Sequence, residues 1–276
     1  MYRVSKVLNN NGVIAIDMDE NKEYVILGKG VGFGKKISQR FDKPEGCTTY
    51  RLEQETERGS AKELVKGIEP EYLEIADAIL TESQKVFGDS IDRGILFPLA
   101  DHISFAVARI RRNEQISNPL TEDIKVLFYS EFKVAETLKT ILRERLQIEI
   151  DDHEVGYVAL HIHSAIGDEK VSVAMQTARA VRECIDMIEK ATGKPIDVLS
   201  LSYNRLMNHM KYMVARASTG EKLNLDMNEY MLDQYPQAYK VATDICKNLE
   251  GCIGHNLDET ETGYLAMHIQ RVYKDA

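Results

Sequence analysis

At 276 residues, with 43% hydrophobic and 29% charged side chains, the chain has the composition of a folded protein with room for two or three domains. No run approaches the roughly 18 apolar residues of a membrane span, the N-terminus lacks the apolar core of a secretory signal, and the cysteines Cys47, Cys184, Cys246 and Cys252 form no CxxC pair, so the chain reads as cytoplasmic with free thiols. The net charge of −9 is uneven: residues 1–51 hold nine Lys/Arg against six Asp/Glu, a basic head on an acidic body, which suits a polyanionic partner for the head or is an ordinary surface excess.

Residues 2–50 read as strands. Val4–Leu8 and Gly12–Ile16 flank Asn9-Asn10-Asn11-Gly12, and Asn-Gly is a strong hairpin signal. Asp17–Lys22 is a polar turn, Glu23–Leu27 a third strand, and a fourth is expected near Thr48–Leu52. So small a sheet has little core of its own and calls for a partner surface, which a dimer supplies most simply. Between the last two strands lies Gly28-Lys-Gly-Val-Gly-Phe-Gly-Lys-Lys36. A dinucleotide fingerprint needs glycine where Phe33 stands, and no frame fits a phosphate-binding GxxxxGK[ST] loop. Two readings remain: a glycine-rich turn of purely structural purpose, or a backbone that approaches a ligand closely between Lys29 and Lys35-Lys36, with Phe33 free to stack. Lysines on phosphates, an aromatic on an unpaired base and Asn amides on base edges suit RNA whose bases are splayed out.

Residues 53–67 are polar and read as a linker. Helical periodicity follows, with helices expected from Pro70, over Ile91–Arg112 and over Phe132–Arg145, and a polar break at Asn118-Pro119. Asp151-Asp-His-Glu154 fits a capping box before the next helix. This half of the chain is duplicated. Gly156–Ile162 (GYVALHI) returns as Gly263–Ile269 (GYLAMHI), 107 residues on, and Val107-Ala-Arg109, Phe132–Ala135 and Asp151–Glu154 return as Val214-Ala-Arg216, Tyr239–Ala242 and Asp258–Glu261 at the same offset. The period is far beyond the ~20–50 residues of a solenoid, so the copies are sibling domains.

Each copy carries two histidines in register: His102 and His161, then His209 and His268. A core imidazole bonded to a neighbour is the plain reading of any one of them, and duplication copies structural residues too. Metal binding fits poorly, because His161 and His163 leave a helix about 200° apart; Cys246, Cys252 and His255 lack a fourth ligand. There is no HExxH or GxSxG motif for hydrolysis. Phosphoryl acceptance suits an imidazole that is largely neutral at cellular pH, and the gain of charge would reshape an interface. Asp101, beside His102, could orient that ring; Asn208 holds the matching position before His209. His153, His163 and His255 fall outside the repeated pairs.

Lys6-Val-Leu-Asn-Asn-Asn11 with Leu27-Gly-Lys-Gly-Val-Gly-Phe-Gly-Lys-Lys36 resembles the co-antiterminator RNA-binding domain of the BglG/SacY/LicT transcriptional antiterminators, nearest their glucose branch. The duplicated two-histidine module resembles that family's two phosphotransferase-system regulation domains, and the likeness spans essentially the whole chain. It implies a small all-β domain at 1–56, a dimerising four-stranded antiparallel sheet, followed by two all-α helical bundles at 65–168 and 171–276. Lys6, Asn9, Asn10, Asn11, Gly28, Lys29, Gly30 and Phe33 would then lie at the RNA surface, and His102, His161, His209 and His268 would take phosphate from HPr or a sugar permease (enzyme II). The implied protein is a cytoplasmic homodimer without cofactor, metal or enzymatic activity. It clamps a leader-mRNA hairpin and blocks a terminator. Two alternatives are a phosphohistidine phosphocarrier enzyme and a DNA-binding activator bearing the same regulatory modules; for the latter, residues 1–51 offer no helical period for a helix-turn-helix.

Overall fold

The computed structural model describes every residue except 54, 57, 58, 168, 169, 194, 198, 199 and 276, so the expected domain limits at 168 and 276 lie outside the described residues. The chain packs as two compact units, residues 1–118 with 130–170, and residues 119–129 with 171–276.

The first unit opens with an antiparallel sheet of five strands, not the four expected. Strands β1 (Tyr2–Asn9), β2 (Gly12–Asp17), β3 (Lys22–Leu27), β4 (Arg40–Phe41) and β5 (Thr48–Arg51) run in the spatial order β4-β1-β2-β3-β5. The extra strand is two residues long, too short to show any period, and is held on the edge by Tyr2 opposite Phe41. Alternation works as in any half-buried sheet: Val4, Val13, Ala15 and Ile26 gather on one face with Val31, Phe41 and Cys47. Their neighbours Val25 and Leu27 are buried too, so β3 is covered on both sides. The cover on the second side is helical, with the Tyr50 ring edge-on to Phe97 at 6.4 Å. Part of the partner surface that so thin a sheet demands is therefore supplied within the chain.

A short hairpin, β6 (Glu55–Thr56) and β7 (Gly59–Ser60), leads into α1 (Ala61–Gly67), so the second half of the expected linker is helical. Then come α2 (Pro70–Phe87), α3 (Leu96–Arg111), α5 (Tyr129–Ala135), α6 (Thr137–Leu146) and α7 (Asp152–Gly167), with α4 (Thr121–Leu127) preceding α5 in the chain. Pro70 sits in the first turn of α2, where its missing N–H costs nothing, and Leu73, Ile75, Ala76, Ile79 and Leu80 form its fully buried stripe. The expected helix over 91–112 begins only at Leu96, because residues 93–95 form a tighter turn capped by Asp92, whose carboxylate accepts from the Gly94 N–H at 2.8 Å. The expected helix over 132–145 is two helices with a joint at Glu136.

In the second unit α8 (Val171–Thr192), α9 (Leu201–Thr219), α10 (Asn228–Gln234), α11 (Pro236–Ile253) and α12 (Thr260–Asp275) pack together, with α4 against α8 and α9. Leu206, Met207, Met210 and Met213 give α9 a fully buried stripe. Tyr203, also on α9, is buried with its hydroxyl donating to Asp123 of α4 at 3.2 Å. Gly263 of the repeated Gly-Tyr motif lies where the start of α10 crosses α12; a Cβ there would come within 2.7 Å of the Asn228 backbone nitrogen.

Candidate functional site

Two kinds of site emerge, one on the sheet and one that recurs in each helical module. On the sheet, β1 and β2 join through Asn10-Asn11, since Asn9 pairs with Gly12; the turn falls one residue earlier than the Asn-Gly signal suggested. The glycine-rich loop is stapled to this turn by backbone bonds. The Gly28 N–H donates to the Asn11 carbonyl at 2.9 Å, the Gly32 N–H to the Asn10 carbonyl at 3.0 Å, and the Gly30 N–H to the Asn11 side-chain oxygen at 3.0 Å. Buried Val31 plugs the loop into the core, while Lys29, Gly30 and Phe33 stay outside, the Phe33 ring 74% exposed. Lys6 and Asn10 are exposed and Asn9, Asn11 and Gly28 half-buried. An aromatic ring and lysines are thus presented on a loop held by main-chain bonds.

Gly32 went unnoticed in the sequence, yet it decides how the loop sits. A Cβ there would lie 2.0 Å from the Asn9 carbonyl oxygen, a backbone atom that cannot step aside. Gly32→Ala should therefore unseat the loop and cost at least about ten-fold in RNA affinity while the helical circular dichroism is unchanged. Unaltered binding in a gel-shift titration would show that the loop does not need this approach.

Glu74 of α2 also reaches this surface. The Asn9 amide donates to one of its carboxylate oxygens at 2.7 Å, the Asn11 amide to the other at 3.1 Å, and Arg145 lies 3.8 Å away. One turn along α2, Asp77 accepts from Thr48 at 2.8 Å, from Arg93 at 2.9 Å and from the Tyr50 hydroxyl.

The helical modules bring together the histidines that the repeat paired. His102 on α3 and His161 on α7 are both buried, with ring centroids 5.4 Å apart. His209 on α9 and His268 on α12 stack at 4.7 Å and 22°. Tyr157 flanks the first pair, 5.7 Å from His102, and Tyr264 the second, 6.1 Å from His209. Each first histidine faces a glutamate that an arginine grips. Glu154 stands 3.4 Å from His102 Nε2 and accepts from Arg109 at 2.8 Å; Glu261 stands 3.6 Å from His209 Nε2 and takes two bonds from Arg216, at 2.6 and 2.9 Å. Burial raises the Glu154 carboxyl, but the His102 ring close beside it and the hydrogen-bonded Arg109 guanidinium outweigh it and hold the group below the ordinary range. Burial, with His268 and Arg216 adding to it, holds the His209 ring down at about 3. His268 is held at about 4, again by burial first and then by Arg271 and Arg205.

The glutamates sit where capping boxes were expected. Asp151 does cap α7, accepting from the His153 and Glu154 backbones at 3.0 and 3.2 Å, but the Glu154 side chain turns inward to Arg109 rather than back to the cap. Asp101 precedes His102 on α3 and so leaves the helix axis about 100° away from it. His163 pairs with Glu131 at 2.9 Å, and the His153 ring accepts from the Asn118 N–H at 3.3 Å. Cys246 is buried while Cys252 and His255 are exposed, and no cluster able to hold a metal occurs among the described residues. No helix among them is long and apolar enough to cross a membrane.

Comparison with known proteins decides the family. Residues 2–59 match the CAT RNA binding domain, and residues 77–165 and 182–272 each match the PRD domain. The chain belongs to the BglG family of transcriptional antiterminators. Its relatives include the glcA/glcB genes antiterminator of Staphylococcus carnosus (strain TM300), 30% identical over 97% of this chain and 94% of the relative. The transcription antiterminator LicT of Bacillus subtilis (strain 168) is 27% identical over 99% of this chain and its own full length. The crystal structure of GlcT CAT-PRDI superposes with a TM-score of 0.52 at 29% identity, over 60% of this chain and 98% of that one. This antiterminator is thus an RNA-binding regulator of transcription controlled by phosphotransferase-system phosphorylation, of the glucose-type branch, and not an enzyme.

Proposed function

We propose that the antiterminator is a cytoplasmic homodimer whose residues 1–56 clamp a leader-mRNA hairpin and keep a terminator from forming, under control of regulatory domains at 65–168 and 171–276. Selective binding of one of two competing RNA folds is enough to suppress the other. The observation that carries this reading is the exposed Phe33 beside Lys29 on a loop pinned to the Asn10-Asn11 turn. Lys6, Asn9, Asn10, Asn11, Gly28, Lys29, Gly30 and Phe33 form the RNA surface. His102, His161, His209 and His268 are the phosphoryl acceptors, served by HPr and by a sugar permease; the ring of His102 faces Glu154 and not Asp101. The relative named for the glcA/glcB genes favours a glucose-type uptake operon.

The proposal is tested by titrating the full chain against leader-hairpin RNA, before and after phosphorylation by HPr or the permease. A change in affinity that disappears when the four histidines are replaced supports it; equal affinity in both states, with label present, sinks it.

The second pair of rings supplies a pH test. With His209 and His268 held near 3 and 4, both rings stay neutral, and hence nucleophilic, far below the ordinary imidazole value of about 6.5. Their NMR ring resonances should be flat from pH 8 down to about pH 5. The unfolded chain binds protons there that the folded chain refuses, so stability is full above pH ~6.5 and falls on acidification, for His209 by about 2 kcal/mol at pH 5. A ring titrating midway near pH 6.5 would refute this.

A further inference from the structure

The repeat copies more than histidines. Arg109 and Arg216 follow their histidines by seven residues, and Glu154 and Glu261 precede His161 and His268 by seven. Seven residues is close to two helical turns, so each pair shares one helix face, and an α-helical side chain leans back toward the N-terminus, carrying the arginine toward its histidine. Each glutamate stands between them, within 3.4 Å of His102 Nε2 in one copy and 3.6 Å of His209 Nε2 in the other. In both copies Nε2 is shut away from solvent and makes no well-formed hydrogen bond; in the first, Glu154 Oε2 and the Arg109 Nε–H are also buried without one. Loose buried polar groups are unusual, and the same looseness in two copies points to a bond that tightens during function.

We propose that Glu154 and Glu261 are positioning residues for phosphoryl transfer: each carboxylate, fixed by Arg109 or Arg216, holds the Nε2–H of His102 or His209 and so presents Nδ1 as the nucleophile. This rests on reading those histidines as phosphoryl acceptors.

The chemistry balances without any further reactant. The Nδ1 lone pair of the neutral ring attacks the phosphorus of a phosphohistidine on the donor protein, and a P–N bond forms as the donor's P–N bond breaks. The donor ring takes that electron pair and leaves neutral, keeping the proton on its other nitrogen. The acceptor ring keeps its Nε2 proton and becomes cationic, facing the glutamate. A carboxylate across the ring from the reacting nitrogen fixes the tautomer and stabilises that cation. In both copies arginine aims the carboxylate, and in the first it also helps keep Glu154 ionised, which burial alone would oppose. For His268 the nitrogen shut in without a partner is Nδ1, so the two rings of the second module turn opposite edges inward.

The experiment is identification of the phosphohistidine isomer on the full-length protein after labelling by HPr, and separately by the soluble phosphorylated domain of the permease. Phosphorus NMR and isomer-selective antibodies, combined with peptide mapping under alkaline conditions, distinguish the two. Phosphate on Nδ1 at positions 102 and 209 is expected; phosphate on Nε2 at either overturns the proposal. In Glu154→Gln and Glu261→Gln the amide oxygen still accepts from arginine, and label uptake at the facing histidine should slow at least about ten-fold, with partial recovery in the aspartate variants. Undiminished uptake in the glutamine variants also overturns it. If the wild-type chain takes label at neither histidine from either donor, the acceptor reading itself has failed and the proposal falls with it.

Discussion

Phe33→Ala should weaken binding of the full-length antiterminator to its RNA hairpin by about 10- to 100-fold without lowering the melting temperature. The ring is 74% exposed, so its removal opens no cavity. The loop around it is held by main-chain groups: the Phe33 N–H donates to the Gly30 carbonyl at 3.0 Å and the Lys35 N–H to the Gly32 carbonyl at 3.2 Å, bonds that alanine keeps. A large apolar ring held in water has no folding purpose, and stacking on an unpaired base is worth about 1–3 kcal/mol per base. Lys29→Ala should act differently, with a smaller loss and a salt dependence reduced by about one counterion, as expected for a lost phosphate contact. A gel-shift or anisotropy titration at two salt concentrations separates the two effects. Full affinity in both variants would leave this loop without a role in RNA binding.

What the sequence shows plainly is whatever repeats or alternates over enough residues. Tyr2–Leu27 alternates and forms three strands; the 107-residue offset pairs His102 with His209 and His161 with His268, and each module folds its two histidines together. Short elements escape because two or three residues carry no period, as with Arg40-Phe41 and the turn capped by Asp92. Tertiary choices escape for a different reason. Asp-x-x-Glu has one meaning in local chemistry, a cap, and another once an arginine from a different helix comes within reach; only half of the expected box forms because a half-buried guanidinium outcompetes a backbone N–H for the carboxylate. The seven-residue spacing of His102 to Arg109 and Glu154 to His161 was visible beforehand, and its repetition in the second copy was the available signal. Glu74 left no such signal, since nothing in a helix that also carries Glu71, Asp77 and Glu82 says which sheet residue each acid will meet.

That contact carries the second large effect. Asn9 and Asn11 both donate their amides to Glu74, at 2.7 and 3.1 Å, yet the same amides are assigned to the RNA surface. An amide N–H pointed at a carboxylate is not pointed at a base edge or a phosphate, so bound RNA and this contact compete. The RNA acceptors serve wild type and variant alike and cancel, so the variant gains what the contact is worth in the free protein; for half-buried amides on a carboxylate that Arg145 and water also reach, about 1.4 kcal/mol in all, or about ten-fold in affinity, is the scale. Glu74→Ala should therefore tighten RNA binding by about ten-fold, and Glu74→Gln by less, since its carbonyl still accepts one of the two amides. Melting temperature should fall only slightly, because Asp77, Thr48, Tyr50 and Arg93 still tie the sheet to α2 and the turn before α3. If Glu74→Ala instead weakens RNA binding, the carboxylate is a brace that shapes the Asn10-Asn11 turn for its ligand, and the two amides are structural rather than reading groups. Tighter binding in Glu74→Ala would also put α2 at the RNA surface, so that a shift of this helix would change which acceptor those two amides find.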